Sequence, residues 1–313
     1  MTVSNIVLNY AKISILQLPE LNSSPSTEVP LCNLKWRRGR LWVSRDHLSQ
    51  SIPLPALRGD RWLEDCISHT HADDIYLDLD LGEAALQRWA SLCRASEKRA
   101  FLRLPSLRTR THIRNTFCWK LKRSADVLAA GLLLLVLSPL LVAIALTVRL
   151  TSPGPVLYKQ WRVGERGKLF QMIKFRSMVP NAEALHHAVM GEQSGLHKLK
   201  DDPRITPVGR WLRKYSLDEL PQLLNVLRGE MSLVGPRPWA LYDAVRISPE
   251  QRHRLNALPG ITGAWQVQGR ACLLDLEAAN RCDIEYLTTW SLLGDLKFLL
   301  LTVPKVLSGF GAY

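Results

Sequence analysis

The sequence predicts a mostly helical α/β unit resting on a membrane through a re-entrant helix and interfacial amphipathic helices, with a small α/β domain ahead of it. Three observations carry this. Residues 127–148 form a 22-residue apolar run interrupted only by Gly131, Ser138, Pro139 and Thr147. Ahead of it, residues 75–81 alternate apolar and acidic side chains with a period of two, the pattern of a half-buried strand. Behind it, residues 292–307 carry a second apolar face suited to a membrane surface. The expected division is a soluble N-terminal domain over residues 1–115, a basic flank and re-entrant helix over 116–150, and a cytoplasmic domain over 151–313.

In the N-terminal third, the strand at 75–81 is followed by helical spacing from Glu83 to Ala100 (Leu86, Trp89, Ala90, Cys93). Phe101-Leu102-Arg103-Leu104 reads as another strand, and Arg108 to Arg114 as a basic linker. His69-Thr70-His71-Ala72-Asp73-Asp74 has the H-x-H-x-D form of some metal sites. No second His/Asp cluster follows at a suitable distance, so it reads as an exposed polar turn. This third does not reveal its function.

The apolar run is long enough to span a bilayer, at about 33 Å for a straight helix. Two features favour a helix-break-helix that returns to its own side. Ser138-Pro139 falls at the middle, where proline removes a backbone donor and the serine hydroxyl can satisfy a freed carbonyl. Basic residues also flank both ends, Lys120, Lys122 and Arg123 before and Arg149 after, which suits two cytoplasmic ends. Asp126 is expected to pair with Arg123 or to cap the helix.

Charge is uneven. Residues 1–119 hold 16 basic and 12 acidic side chains, a net of +4, whereas 120–313 hold 25 and 16, a net of +9. Such a domain suits an anionic membrane or a phosphorylated substrate. Nucleic acid is disfavoured by the apolar run and by the lack of any recognised nucleic-acid module. The six cysteines show no C-x-x-C pair and no metal-ligand spacing, so reduced thiols are expected rather than a disulfide framework. The first thirty residues do not read as a signal peptide.

Beyond the run, residues 156–160 and 170–173 read as short strands, and Lys174 and Arg176, two apart, point to one face of an extended segment. Then comes Ser216-Leu217-Asp218-Glu219-Leu220-Pro221-Gln222, two adjacent carboxylates among Arg204, Arg210, Arg213, Lys214, Arg228 and Arg237. Nearby cations keep carboxylates ionised, and an ionised aspartate can act as a nucleophile toward phosphorus. The structural reading of the same run is a helix start, either an S-x-x-E capping box or a cap at Asp218 with Pro221 in the first turn. Leu220, Leu223, Leu224 and Leu227 then share a face. Gly235-Pro236-Arg237-Pro238 is a rigid loop projecting one guanidinium, a fork suited to phosphate, and Pro259-Gly260-Ile261-Thr262-Gly263 is a second rigid turn.

From Lys122-Arg123 to Tyr313 the chain resembles the bacterial monotopic phosphoglycosyl transferases, the sugar transferases that initiate exopolysaccharide and glycoconjugate assembly. The resemblance runs through Asp126, Ser138-Pro139, Gln160/Arg162/Gly164, Lys174-Phe175-Arg176, Asp202/Arg204/Thr206, the 217–222 run, Asn225-Val226-Leu227 and the two rigid loops. The closing stretch and the N-terminal domain look most like cyanobacterial members, including those linked to the heterocyst envelope.

The resemblance implies a two-step reaction. Asp218 attacks the β-phosphate of a UDP-sugar, UMP leaves, and a polyprenol phosphate takes the phosphosugar from the aspartyl enzyme. It implies Mg²⁺ held by Asp218 and Glu219, with Glu219 also suited to handling the acceptor's proton. It implies substrate contacts from Lys174, Arg176, Arg204, Arg213, Pro236 and Arg237. Lys122, Arg123, Asp126, Ser138 and Pro139 would form the re-entrant motif, at the cytoplasmic face of the inner membrane. The departures are small: Ser177 replaces a common threonine and Glu230 a common aspartate. The alternative is a catalytically idle membrane scaffold subunit of a polysaccharide-synthesis complex. The sugar, the polyprenol length and the oligomeric state, a homo-oligomer included, are open at this level.

Overall fold

A computed structural model describes residues 32–45, 60–104, 117–180, 182, 202–245, 249–268 and 276–309. The expected basic linker and Cys272 lie outside them. The first sheet has the order β1-β2-β3-β4, with β1 (Cys32–Arg37), β2 (Arg40–Arg45), β3 (Asp74–Leu77) and β4 (Arg99–Leu102). β1 and β2 form an antiparallel hairpin whose turn, Arg38-Gly39, has positive φ at both residues, as tight hairpins require. The other two pairings are parallel. α1 (Asp60–Ser68) and α2 (Glu83–Ala95) supply the apolar cover. Leu41, Val43, Ile75, Leu77 and Leu102 are buried with Leu63, Ile67, Leu86 and Trp89. On the alternate positions Trp42, Tyr76 and Phe101 stack across three strands, centroids 4.7 and 5.3 Å apart.

The expected strand at 75–81 stops at Leu77. The alternation continues, but Leu79–Leu81 turn as a 3₁₀ segment into Gly82, and Leu81 is still buried. A period-two pattern records burial, which two backbone forms can deliver. Likewise the helix ends at Ala95, and Glu97, at φ 56°, turns the chain into β4.

This unit is not separate. Trp161, Val163, Leu169, Trp239, Leu241 and Leu255 join its buried cluster, and Trp161 Nε1 donates to Ser91 Oγ at 3.1 Å. A Cβ on Gly167, at φ 79°, would lie 2.9 Å from the Leu102 carbonyl, so only glycine lets the next hairpin approach so closely.

α3 (Phe117–Val136) and α4 (Ser138–Thr151) meet at Leu137 with a bend of 63°. Pro139 falls in the first turn of α4, where its missing donor costs nothing, and Ser138 Oγ donates to the Leu135 carbonyl at 2.7 Å. Among the described residues no single helix is long and apolar enough to cross a membrane; this bent pair has the length and composition to do so. Leu128, Leu132, Leu135, Val136, Leu146 and Leu150 on the pair are more than half exposed. So are Leu293, Leu296, Leu300, Val303 and Leu307 on the last helix, Leu292–Ser308. So much exposed apolar surface marks an interaction face.

Asp126 does not pair with Arg123, and it lies inside α3 rather than at its cap. It sits 3.6 Å from Lys122 Nζ, one turn back on the same helix side, and accepts from Ser232 Oγ at 2.6 Å. Lys122 also reaches Asp295 of the last helix at 2.7 Å and the Val234 carbonyl at 3.1 Å. Arg123 instead donates to the Val226 and Met231 carbonyls. Buried charge therefore ties the bent pair to the last helix and to the strand before the Gly-Pro-Arg-Pro loop.

The second sheet, order β6-β5-β8, joins β5 (Leu157–Val163), β6 (Leu169–Phe175) and β8 (Trp239–Ala240), all antiparallel. β7 (Ser232–Val234) pairs in parallel with β9 (Gly260–Thr262). Around these lie α5 (Pro207–Lys214), α6 (Gln222–Leu227), α7 (Leu241–Ala244), α8 (Ala264–Gln268), α9 (Leu276–Thr288) and α10, the last helix. The two rigid turns of the sequence pack on each other: a Cβ on Gly260 would meet Gly235 N at 2.1 Å. Gly235 N donates to Thr262 O and Gly260 N to Pro236 O, both at 2.9 Å.

Candidate active site

The carboxylate pair lies at the end of α5. Ser216 adopts a left-handed conformation, φ 52°, at a cost of about 1 kcal/mol for a non-glycine residue. Leu217–Glu219 then make a single 3₁₀ turn, and α6 starts after Pro221. Ser216 makes no side-chain cap, so neither expected helix start forms. The expected leucine stripe is not the buried face either: Leu227 is exposed, while Gln222, Leu223, Asn225 and Val226 are buried. Asn225 decides this. Its Oδ1 accepts from Ile173 N at 3.0 Å, and its Nδ2 donates to Gln171 O at 2.8 Å and to Glu230 at 2.6 Å. A fully satisfied buried amide fixes α6 against β6.

Asp218 is buried. Glu219 is paired with Lys174, Nζ to Oε1 2.8 Å, and both line an open cleft. Arg162 and Arg237 give the cleft two more cations, Met172 and Ile261 an apolar wall, and Gln222 and Gln266 two amides. Arg162 is buried, which lowers its pKa by desolvation, with the neighbouring Tyr242 acting in the opposite sense. Its Nη1 donates to Pro238 O at 3.2 Å, and its Nη2 to Gln160 Oε1.

Arg237 lies over the Trp265 ring, 5.2 Å from its centroid. Its backbone is strapped down by a second buried pair. Asp283 Oδ2 accepts from Arg237 N at 3.3 Å, Arg254 donates to Arg237 O at 2.6 Å, and Arg254 and Asp283 are ion-paired. Burial lowers the Arg254 pKa and raises that of Asp283, and each partner's charge opposes the shift. Arg254 also stacks on Trp239 at 4.4 Å.

The other expected contacts go elsewhere. Arg176 is just past the end of β6 and turns away from Lys174: its Nη2 donates to Ser152 O at 2.7 Å, at the exit of α4. Arg204 forms a buried fork with Asp202, Nη2 to Oδ2 2.6 Å and Nε to Oδ1 2.9 Å. That hydrogen bond, larger than the opposing burial, holds the Asp202 carboxyl below its ordinary range, and the half-buried Arg213 adds to it. Pro236 is buried, and Pro238 rather than Pro236 lines the cleft. Thus Lys174, Glu219 and Arg237 line one cleft, Asp218 is buried and precedes Glu219 without lining the cleft, and Arg176 and Arg204 hold the scaffold. Arg162, Arg254 and Asp283 were not expected at the site. Arg162 stood inside a quoted motif, but nothing local marks Arg254 or Asp283.

Residues 117–309 match the bacterial sugar transferase family. The exopolysaccharide production protein ExoY of Sinorhizobium fredii is 42% identical over 201 residues, 61% of this chain and 88% of the relative. The UDP-glucose:undecaprenyl-phosphate glucose-1-phosphate transferase of Caulobacter vibrioides is 46% identical over 200 residues, 61% of this chain and 72% of that protein. The galactosyl transferase CpsE of Streptococcus agalactiae is 42% identical over 195 residues, 61% of this chain and 43% of its own length. The chain belongs to the bacterial sugar transferase family, a family of phosphoglycosyl transferases. The sheet of β1 to β4 lies outside the matched region.

Proposed function

We propose that the protein transfers a sugar-1-phosphate from a UDP-sugar to polyprenol phosphate, as the first step of exopolysaccharide assembly. The observation that carries this is a cleft lined by Glu219, Lys174, Arg162 and Arg237, with the buried Asp218 next to Glu219 in the chain, on a unit whose α3, α4 and α10 expose apolar side chains. Phosphoryl transfer depends on positioning and on neutralising charge, and the three cations lining the cleft with Glu219 supply the charge.

In the first step an Asp218 oxygen bonds the β-phosphorus as the bond from that phosphorus to the bridging oxygen breaks. UMP leaves with the electron pair. In the second step a phosphate oxygen of the polyprenol bonds the same phosphorus, the bond to Asp218 breaks, and the carboxylate is restored. Polyprenyl-diphosphate-sugar results. Lys174, Arg162 and Arg237 hold the diphosphate, and Glu219, paired with Lys174 in the structure, would exchange it for a proton or a metal.

Asp218 and Glu219 fit Mg²⁺, which needs one or two carboxylates with substrate phosphate and water completing its shell. Among the described residues no three His, Cys, Asp or Glu side chains cluster, so a closed protein cage is not offered. Bound there, Mg²⁺ would neutralise phosphate charge.

The bent α3–α4 pair reads as a re-entrant element that keeps both flanks on the cytoplasmic face of the inner membrane, with α10 on the surface. Cysteines placed before residue 117 and after 151 should label from the same side; labelling from opposite sides would refute it. The reaction is tested with nanodisc-held protein, Mg²⁺, polyprenol phosphate and a panel of UDP-sugars, following UMP release. Release from one sugar establishes the reaction and the donor. Release from none by folded protein points to the idle scaffold.

A further inference from the structure

The cleft has more chemistry than a diphosphate needs. Cations answer the phosphates, but the walls also carry Met172, Ile261 and two amides, Gln222 and Gln266. Gln266 Nε2 donates to the Ile261 carbonyl at 3.0 Å. Only a nitrogen can face a carbonyl, so this bond fixes which way the amide points. Its Oε1 is buried, and among the described residues nothing donates to it. A buried acceptor without a donor is costly, by about the value of a hydrogen bond or more. Gln266 belongs to α8 and lines the cleft with Ile261, next to Trp265, whose ring carries the Arg237 guanidinium on its face.

We infer that Gln266 reads the nucleobase of the donor, its Oε1 accepting the N3–H of uracil while Met172 and Ile261 contact the flat ring. This deepens the UDP-sugar reading and rests on it. Uracil is a flat apolar ring whose edge offers one N–H between two carbonyls, and the Gln266 amide offers a directed acceptor with one N–H still to donate. A hexose presents several hydroxyls, each both donor and acceptor, and would call for several polar partners. Cytosine places a lone pair at N3, which would oppose Oε1. The wall should therefore reject cytidine nucleotides by repulsion as well as by the lost bond.

The test uses the full-length protein in nanodiscs, with UMP and CMP binding measured by calorimetry. The wild type is expected to bind UMP at least about tenfold more tightly than CMP, one hydrogen bond's difference. Gln266→Met, similar in length and lacking the amide, should weaken UMP by about tenfold and bring the two affinities together. Its kcat/KM ratio between UDP-glucose and UDP-galactose should match that of the wild type. Gln266→Glu keeps the acceptor and should retain the preference for UMP over CMP, which protects the test if the methionine variant folds poorly.

The inference is overturned if Gln266→Met keeps the wild-type preference, if Gln266→Glu abolishes it, or if the sugar ratio shifts instead. Binding of UMP with an unaltered base preference would defeat this inference alone. No binding of any uridine nucleotide would defeat the donor assignment with it.

Discussion

The two sheets of this chain are held in opposite ways. In the N-terminal sheet the buried residues are apolar, and the described ion pairs, Lys98–Asp73, Arg99–Asp74 and Arg103–Asp78, each have at least one exposed partner. Around the second sheet the pairs are buried: Lys122–Asp295, Asp202–Arg204 and Arg254–Asp283. An exposed pair is worth about 0–1 kcal/mol, whereas breaking a buried one costs about 3–5 kcal/mol because a charge is left stranded. The N-terminal unit is thus built to be stable and tolerant. The cleft-bearing unit spends stability to fix charges at given places: Lys122–Asp295 joins two helices of the apolar face, and Arg254–Asp283 holds the backbone of cleft-lining Arg237. The difference marks where rigidity serves chemistry.

The sharpest break in this comparison is Asp218→Asn. Turnover should fall by roughly 10⁴-fold or more while thermal stability stays near wild type, read by UMP release and by a melting curve. Full activity would end the nucleophile assignment. Next is Asp283→Leu, which strands Arg254 and frees the backbone of Arg237. It should cost about 3–5 kcal/mol in urea unfolding and raise the KM for the UDP-sugar. The double variant with Arg254→Met should recover much of the stability and little of the KM, since an apolar pair can fill the space and cannot hold the loop. Recovery of both would make the strap merely structural.

Acid should separate the two units. Asp202 has its folded pKa depressed below the ordinary 3.8 by Arg204. The stability it contributes is therefore complete above pH 3.8 and is lost as pH falls from there through the folded value. Urea midpoints from pH 5 down to pH 2.5 should drop more steeply in the wild type than in an Asp202→Asn variant. Equal slopes would remove this pair from the acid response.

Most of the candidate site was legible in the sequence, because it depends on residue type and order. Asp218-Glu219, the Gly-Pro-Arg-Pro loop and the Ser138-Pro139 break are local, and the structure shows a bend beside Ser138 and a cleft lined by Glu219, Arg237 and Pro238. The misses come from partners far apart in the chain. Arg176 and Lys174 share a strand pattern, yet the strand ends between them and Ser152 captures the arginine. Arg254 and Asp283 lie 29 positions apart in two helical segments, so no window contains both. The leucine stripe at 220–227 failed because Asn225 has three partners outside its helix, and satisfying a buried amide outweighs a modest apolar preference. The N-terminal unit looked separate because its own core reads as complete; only the structure adds Trp161 to it.

That junction gives the smallest effect, and the one that best tests whether tolerance ends at the border. Trp161 and Arg162 are neighbours on β5. One enters the N-terminal core and bonds Ser91, while the other supports Pro238 in the cleft. Ser91→Ala removes the partly buried bond from Trp161 together with an exposed bond to the Gln87 carbonyl, and should cost about 1 kcal/mol in urea unfolding. If the border only adds stability, kcat and KM stay unchanged. If the N-terminal sheet also sets the height of β5, and with it the position of Arg162, the KM for the UDP-sugar rises about two- to threefold. A control on the far side, Arg103→Ala, breaks an exposed pair of the same unit and should move neither stability by more than about 1 kcal/mol nor KM. A KM change in Ser91→Ala without one in the control would make the N-terminal unit part of the cleft's support.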